Sequence, residues 1–324
     1  MGRLIVTEYT TLDGVVEAPG GGESFEHGGW SFRIDRGEEF NTLKFEESRN
    51  TAALLFGRTT YEGMAAVWPH MSGEFADLWN SMPKFVMSST LTDPEWNNTS
   101  VLSGNVAGEV KRLVDETEGN VVIHGSSTLV NELLRHELVD ELRLTTFPFI
   151  LGSGKRLFSP SETPSNWKLE DVRSVGDGIV ITTYRPRFSY HVSKDMPANV
   201  ETTWKAWTDP DEYAQWFNAV PGSVELDVRE GGAWKLAIGG GGDSEPEEMS
   251  GLYEEVVPGE KLVMTTHFSG GDTVMEMRFE PTDSGSRVSI TQTSTSREER
   301  DGGREGSEIL LRSCAEFLSR KLQS

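Results

Sequence analysis

Short apolar runs alternate with stretches of helical periodicity over the first half of the chain. The runs are four to six residues long and several end at a turn signal, as expected for buried strands. Alternation of buried strands with helices predicts an α/β domain whose sheet has helices on both faces. The predicted strands are residues 3–8, 52–56, 84–87, 121–124, 142–147 and 179–184, and the predicted helices are 38–49 and 129–136.

The pattern changes after residues 185–190. A helix is predicted over 198–207, then up to six strands separated by turns such as Pro258-Gly259, and finally a long helix over about 305–321. Gly239–Gly242 is predicted to be a flexible hairpin tip. This half is therefore predicted to be an α+β domain, which divides the chain into domains at 1–186 and 191–324. The predicted strands are residues 224–229, 233–238, 250–257, 261–268, 273–280 and 286–294.

Composition and charge exclude several classes of function. The 324 residues carry a net charge of -22, which repels nucleic acid and anionic membranes; a solvated acidic surface or a cationic partner would both fit. No apolar run reaches the length of a membrane-spanning helix, and the first apolar run is too short for a signal-peptide core. The one cysteine, Cys314, excludes an intramolecular disulfide and a cysteine-based metal cluster. We therefore expect a cytoplasmic protein without a bound metal.

Two turns that follow predicted strands have the residues of a phosphate site. Gly57-Arg58-Thr59-Thr60-Tyr61 and Gly125-Ser126-Ser127-Thr128-Leu129 each stand where a helix should begin. The start of a helix offers free N–H groups and a partial positive charge to an anion. Neither has the full G-x-G-x-x-G pattern, so ordinary strand-to-helix turns are an alternative.

The order of several segments resembles the dihydrofolate-reductase-like family. Among its members, the reductase domain of bacterial bifunctional riboflavin-synthesis deaminase/reductases is the most similar in kind. The resemblance covers roughly residues 1–186. It is carried by TTLDGVVEAPGG, LLFGRTTYEGMAAVWP, KFVMSSTL, VIHGSSTLVNELL, LVDELRL and FPFILGSGKRLF.

The resemblance implies a bound NADPH and hydride transfer to a carbon–nitrogen or carbonyl bond of a small substrate. It places Gly57, Arg58 and Thr60 near the cofactor phosphates and Thr11 and Asp13 beside the nicotinamide. Trp30 and His124 would contact the substrate. The pyrophosphate would be lined by Gly125, Ser126, Ser127, Thr128 and Leu129.

Three departures from the family pattern affect these assignments. We also assign Ser88 and Ser89 to the cofactor site. Relatives often carry arginine where Ser89 stands, and that arginine would bind a 2′-phosphate. Without it, NADH is possible as well as NADPH. The riboflavin enzymes carry a lysine before the first turn and a glutamate where His124 stands, whereas this chain offers Thr7 and Glu8 on the first strand. The riboflavin intermediate is therefore doubtful as the substrate.

The catalytic candidates are Asp13 and Glu47. Glu47 follows Glu46 on the predicted helix, roughly where a dihydrofolate reductase keeps its carboxylate. If buried there it would have a raised pKa and could protonate a substrate nitrogen; a solvated helix face is the alternative. His124 would titrate near neutrality if it lines the site, or would be a satisfied core histidine.

Residues 191–324 resemble homologues of the activator of the heat-shock chaperone ATPase, which belong to the helix-grip (SRPBCC, START-like) superfamily. MPANVETTWKAWTDPDEYAQWF, GLYEEVVPGEKLVMTT and RVSITQT carry the resemblance. It implies an antiparallel sheet around a long C-terminal helix, with a cavity for an apolar ligand. The aromatic residues that would line the cavity or form the core are Trp204, Trp207, Trp216, Phe217, Trp234 and Phe317.

The chain is therefore predicted to be an NAD(P)H-dependent reductase of a pteridine- or aminopyrimidine-type molecule, with a ligand-binding or regulatory second domain. A non-catalytic ligand-binding or stress-response protein with a degenerate reductase domain is the alternative. A third hypothesis is a cochaperone that binds the chaperone through the second domain. We expect a homodimer, because relatives of the first domain commonly pair.

Overall fold

The computed structural model describes residues 2–21, 24–159, 165–239, 246–268, 271–294 and 296–323. The chain divides into two compact units, Met1–Pro186 and Arg187–Ser324. The predicted glycine-rich hairpin tip falls for the most part on residues 240–242, which lie outside the described residues.

The first unit is built on a mixed sheet in the order β4-β3-β2-β5-β1-β6-β8. Every neighbouring pair is parallel except β6 and β8, which are antiparallel, and β7 pairs with β8. Strand β1 therefore lies between β5 and β6. The strands are β1 (Arg3–Thr11), β2 (Thr51–Gly57), β3 (Lys84–Met87), β4 (Thr99–Leu102), β5 (Asn120–His124), β6 (Glu141–Phe147), β7 (Asn166–Val175) and β8 (Ile179–Met196).

Helices cover both faces of this sheet, as predicted. Alternate residues of β2 belong to different cores, because successive side chains of a strand point to opposite faces. Ala53 and Leu55 pack in one core, and Leu54 and Phe56 in another. The helices of the unit are α1 (Gly37–Arg49), α2 (Arg58–Ala65), α3 (Glu74–Ser81), α4 (Val106–Glu116) and α5 (Ser127–Arg135).

Two helices start almost directly at the carboxyl ends of neighbouring parallel strands. Helix α2 follows β2 without a loop, and only Gly125-Ser126 separates β5 from α5. Because β2 and β5 are parallel neighbours, both helix starts come to the same edge of the sheet. The turn that follows β1 reaches this edge as well.

The second unit is an antiparallel sheet in the order β8-β14-β13-β12-β11-β10-β9. A 25-residue helix follows the last strand of this sheet in the sequence. Residues 188–196 of β8 form its first strand. Its other elements are α6 (Val200–Thr208), α7 (Pro210–Phe217), β9 (Glu225–Leu226), β10 (Ala233–Ile238), β11 (Glu247–Val257), β12 (Lys261–Phe268), β13 (Gly271–Thr282), β14 (Gly285–Ser294) and α8 (Arg297–Lys321).

Helix α8 begins eight residues earlier than the predicted start at 305. Its first turn includes Glu298 and Glu299, whose charges favour a helix N-terminus. The Ser296 hydroxyl caps this turn by accepting a hydrogen bond from the Glu299 N–H at 3.1 Å. With these end contacts the helix includes Gly302 and Gly303, two residues of low helix propensity that lie before the predicted start.

No helix of the described residues is both long enough and apolar enough to cross a membrane. The same residues contain no group of three or more histidine, cysteine, aspartate or glutamate side chains that could hold a metal ion.

Candidate functional site

The turns after β2 and β5 are joined by two reciprocal hydrogen bonds. The Gly57 N–H donates to the Ser126 hydroxyl at 2.9 Å, and the Ser126 N–H donates to the Thr60 hydroxyl at 3.0 Å. The two turns that the sequence predicted to form a phosphate site therefore converge. Neither turn provides a side-chain cap for its own helix. The N–H groups of the first turn of each helix thus have no partner within the helix.

Gly125 is required by this arrangement. Its backbone is left-handed, with φ of 60°, and a Cβ atom there would lie 3.0 Å from Thr60 Cγ2 and 3.2 Å from Thr60 Oγ1. Ser126 is also left-handed, with φ of 64°, a conformation that costs a residue with a side chain about 1 kcal/mol. The hydrogen bond from Gly57 to its hydroxyl helps to hold it there.

The side chains around the two turns differ in exposure. Arg58 is exposed and pairs with Glu62 at 3.5 Å, while the exposed Thr128 accepts a hydrogen bond from the Lys155 ammonium at 2.8 Å. Ser127 and Leu129 are buried, and Leu129 packs in the core of the sheet. Only the backbone of Leu129 is available to a ligand.

Asp13 binds the loop of residues 151–154 to the turn after β1. Its carboxylate accepts hydrogen bonds from the Thr11 hydroxyl at 2.6 Å, the Leu151 N–H at 3.3 Å and the Gly152 N–H at 2.9 Å. The Arg156 guanidinium also donates to the Asp13 carbonyl. The hydrogen bond from Thr11, followed by those from the two backbone N–H groups, lowers the pKa of Asp13 to about 2. Asp13 is therefore ionised at neutral pH and is not suited to donate a proton.

Glu47 lies in a chain of ion pairs that joins α1 to β6. Its two carboxylate oxygens lie 2.9 Å from Lys44 Nζ and 3.4 Å from Arg143 Nη1. Arg143 Nε in turn donates to Glu141 at 2.6 Å. Glu47 is half-buried and Glu46 is exposed. The alternative of a carboxylate on a solvated helix face therefore describes Glu46 better than Glu47.

His124 and Thr7 are neighbours on the face of the sheet that carries α1. The strand register places Thr7 level with His124 on one side and with Arg143 on the other. Burial, followed by the nearby charges of Lys44 and Arg143, lowers the pKa of His124 to about 3. Its ring lies 4.7 Å from that of Trp79. His124 is therefore neutral at physiological pH and does not titrate near neutrality.

Glu8 is a residue whose position the sequence did not reveal. It follows Thr7 on β1, so its side chain points to the opposite face, and only 3% of it is exposed. Burial raises its pKa to about 8, although attraction from Lys155 acts in the opposite direction. Its Oε1 atom has no hydrogen-bond partner. The available signal was a glutamate on a strand that begins with the apolar run Leu4–Val6.

Among the described residues of the first unit, three buried side-chain oxygens have no hydrogen-bond partner: Thr7 Oγ1, Glu8 Oε1 and Thr145 Oγ1. Thr145 on β6 is level with Tyr9 on β1, two residues after Thr7, so Thr7 and Thr145 lie on one face of the sheet and Glu8 lies on the other. Buried polar atoms almost always have partners, so the two threonine hydroxyls on the same face point to a ligand or water site.

Three predicted site residues have other surroundings than expected. Trp30 is fully buried against Phe147 and donates from Nε1 to the Glu17 carbonyl at 2.8 Å, so its ring has no surface exposed to a substrate. The Ser88 hydroxyl is buried and accepts from the N–H groups of Thr90 and Leu91. Ser89 is exposed.

The aromatic residues singled out in the second unit pack in a single core. Trp207, Trp216, Trp234 and Phe317 are buried, and Trp204 and Phe217 are partly buried against them. Ring contacts such as that of Trp207 with Trp216, at 4.7 Å, account for them as core residues.

Comparison with known proteins places the first unit in a family. Residues 3–181 match the family described as RibD C-terminal domain, which is more than half of the chain, and the chain belongs to that family. Residues 197–319 match the family described as activator of Hsp90 ATPase homolog 1-like protein.

Among curated proteins, the uncharacterized protein YyaP of Bacillus subtilis strain 168 is 26% identical over 192 residues, covering 56% of this chain and 94% of YyaP. The uncharacterized protein YwjB of the same strain is 22% identical over 126 residues, covering 39% of this chain and 69% of YwjB. A crystal structure from Shewanella sp. PV-4, of a protein provisionally named for riboflavin biosynthesis, is 22% identical with a TM-score of 0.48 and covers 57% of this chain and 98% of that one. The solution structure of an AHSA1-like protein from Aeromonas hydrophila is 17% identical with a TM-score of 0.38, covering 42% of this chain and 96% of that one.

Proposed function

We propose that the first unit is a nicotinamide-dependent reductase of a small heterocyclic substrate. The observation that carries this proposal is the pair of reciprocal hydrogen bonds between Gly57, Thr60 and Ser126, which brings two uncapped helix starts together at one edge of the sheet. A dinucleotide carries two linked phosphates, and two adjacent helix N-termini are suited to bind them.

The residues at this edge fit a dinucleotide cofactor. The first-turn N–H groups of α2 and α5 and the hydroxyl of Thr128 would contact the pyrophosphate. Lys155, beside Thr128, and Arg58 would add positive charge in a chain that is strongly acidic overall. When bound, the nicotinamide supplies the hydride. We propose NADPH as the cofactor. Because Ser89 provides no guanidinium for a 2′-phosphate, we propose NADH as an acceptable substitute.

The substrate would lie on the face of the sheet that carries α1. There the unpartnered hydroxyls of Thr7 and Thr145 and the neutral imidazole of His124 offer hydrogen bonds to a polar heterocycle such as a pteridine or an aminopyrimidine. Glu47 is fixed between Lys44 and Arg143, so we assign it the positioning of these cations.

We assign the protonated carboxyl group of the site to Glu8 rather than to Asp13. With a pKa of about 8 it is mostly protonated at neutral pH, whereas Asp13 is ionised. Glu8 interacts electrostatically with Lys155, beside the start of α5. We therefore assign to Glu8 a hydrogen-bond donor role on the cofactor side of the site.

For the second unit we propose a helix-grip module that binds a ligand or regulates the first unit. Support comes from its antiparallel sheet and from the 25-residue helix α8, which contacts β14 of that sheet. Because the aromatic residues are packed together as a core, the ligand would occupy space other than theirs.

The reductase proposal is tested by titrating the full chain with NADPH and NADH, following tryptophan fluorescence, and then measuring nucleotide oxidation with a panel of dihydropterins and pyrimidine-diones. Thr60→Val removes the hydroxyl that Ser126 binds, and Thr42→Val, at an exposed position of α1 outside both turns, is the matched control. We expect Thr60→Val to weaken nucleotide binding by about tenfold and Thr42→Val to leave it unchanged. Failure of the wild-type chain to bind either nucleotide refutes the proposal. Binding without turnover of any substrate favours the non-catalytic alternative.

A further inference from the structure

Arg36, at the start of α1, is enclosed by aromatic rings. Its guanidinium carbon lies 4.4 Å from the centre of the Phe32 ring, 5.4 Å from that of Phe40, and 5.9 Å from those of Tyr9 and Phe147. Stacking of guanidinium on aromatic faces is favourable. Phe32 is the exposed member of this set, with 67% of its surface accessible, so it forms the outer wall.

The guanidinium is only partly satisfied by the protein. Its Nε donates to the Ser31 carbonyl at 2.9 Å and one Nη2 hydrogen is directed at the Ser31 hydroxyl at 2.8 Å. A guanidinium has five N–H groups, so these two bonds leave three N–H groups for another partner. No ion pair joins Arg36 to a carboxylate of the described residues, although the chain has 52 acidic residues. A partly buried cation without a counter-charge is costly unless something else pairs with it.

The neighbourhood of Arg36 is the proposed substrate face. Tyr9 lies two residues after Thr7 on β1 and is level with Thr145, and both of these threonines have unpartnered buried hydroxyls. The Lys44 ammonium lies 5.5 Å from the Tyr9 ring. The Arg36 guanidinium, the aromatic rings around it and the two unpartnered hydroxyls therefore lie on the same face of the sheet, at β1 and β6.

We propose that Arg36 binds an anionic group, a carboxylate or a phosphate, on a planar heterocyclic substrate. This inference rests on the proposed function, because it assumes that this face receives the substrate. Carboxylate and phosphate oxygens match the fork of N–H groups that the guanidinium presents. Phe32, stacked on the outer side of Arg36, would also contact the aromatic part of the ligand.

Matched acid and neutral probes on two ring systems test this assignment. The pairs are 6-carboxypterin with 6-hydroxymethylpterin, and uracil-6-carboxylate with 6-methyluracil, each titrated by calorimetry into the full chain saturated with nucleotide. We expect the acid to bind at least about tenfold more tightly than its neutral partner in at least one pair, because the acid alone gains charge-assisted hydrogen bonds. Carboxylate and phosphate are then distinguished by repeating the titration with the corresponding phosphate ester of 6-hydroxymethylpterin.

Arg36→Gln should abolish this preference and leave nucleotide affinity unchanged. Arg33→Gln is the matched control, because Arg33 is exposed and, within the described part of the chain, donates only to the carbonyls of His27 and Gly28. If Arg36→Gln does not fold, as shown by its urea transition, Arg36→Lys keeps the charge and should retain a reduced preference. Equal binding of acid and neutral probes, an unchanged preference in Arg36→Gln, or no binding of any probe to a chain that binds nucleotide overturns the inference. Failure of nucleotide binding itself would instead refute the proposed function.

Discussion

Replacement of Gly125 by alanine should weaken nucleotide binding and stability together. The new Cβ atom would lie 3.0 Å from Thr60 Cγ2, closer than carbon atoms normally approach, in a residue whose φ is 60°. The Thr60 side chain must therefore move. Its hydroxyl is the acceptor for the Ser126 N–H, so this movement disturbs the bond that aligns the two helix starts.

The structure gives the size of the effect. The left-handed backbone costs alanine about 1 kcal/mol relative to glycine. Loss of the hydrogen bond between Ser126 and Thr60 adds about 1 kcal/mol. We expect the free energy of unfolding to fall by about 2 kcal/mol. If the two helix starts no longer converge, nucleotide affinity should fall about tenfold or more.

Urea denaturation measures the stability change and a fluorescence titration with NADPH measures the affinity. Gly222→Ala is the matched control, because Gly222 has φ of 78° but no atom within 4 Å of the position that a Cβ would take. It should lose about 1 kcal/mol of stability and retain its nucleotide affinity. The reasoning is refuted if Gly125→Ala binds NADPH as tightly as the wild-type chain, or if Gly222→Ala impairs binding equally.

Three further substitutions test separate parts of the structure. The pKa of Glu8 is raised to about 8 in the folded chain, so the unfolded chain releases this proton at a lower pH than the folded chain does. The free energy of unfolding should therefore fall by about 3 to 4 kcal/mol as the pH rises from 5 to 8. Urea transitions of Glu8→Gln should lack this loss. Ser89→Arg should increase the preference for NADPH over NADH by about tenfold in parallel titrations, and an unchanged ratio would place the 2′-phosphate elsewhere. Ser296→Ala should lower the free energy of unfolding by about 1 kcal/mol through loss of the α8 cap, and no change in the urea transition would count against that cap.

The convergence of the two turns could be predicted from the sequence because it depends on local signals. Gly57 and Gly125 each follow a short apolar strand and precede a helix, and parallel strands bring such ends to one edge. The alternation of short apolar runs with helices likewise predicted a sheet covered on both faces, and Leu54 and Leu55 do belong to different cores.

The surroundings of the polar site residues could not be predicted in the same way. Asp13 lies within hydrogen-bonding distance of Leu151 and Gly152, more than 130 positions away in the chain, and only the tertiary fold brings them together. Those contacts make Asp13 a fixed carboxylate. Glu8, which has no such partners, is the residue that keeps its proton.

Trp30 shows the limit of assigning a role from residue type. A tryptophan near a cleft can line its surface or support it from behind, and the two patterns look alike in sequence. Contact with Phe147 and the hydrogen bond to the Glu17 carbonyl bury Trp30 in the core, where its ring supports the site from behind. The exposed aromatic residue of this region is Phe32.

Hydrogen–deuterium exchange of the full chain, with and without saturating NADPH, tests most directly whether the two joined turns hold a dinucleotide. Backbone N–H groups that bind phosphate exchange more slowly, so peptides covering residues 57–60 and 125–128 should both gain protection. Unchanged exchange in these two peptides, or protection confined to other segments, would contradict a dinucleotide site built from the starts of α2 and α5.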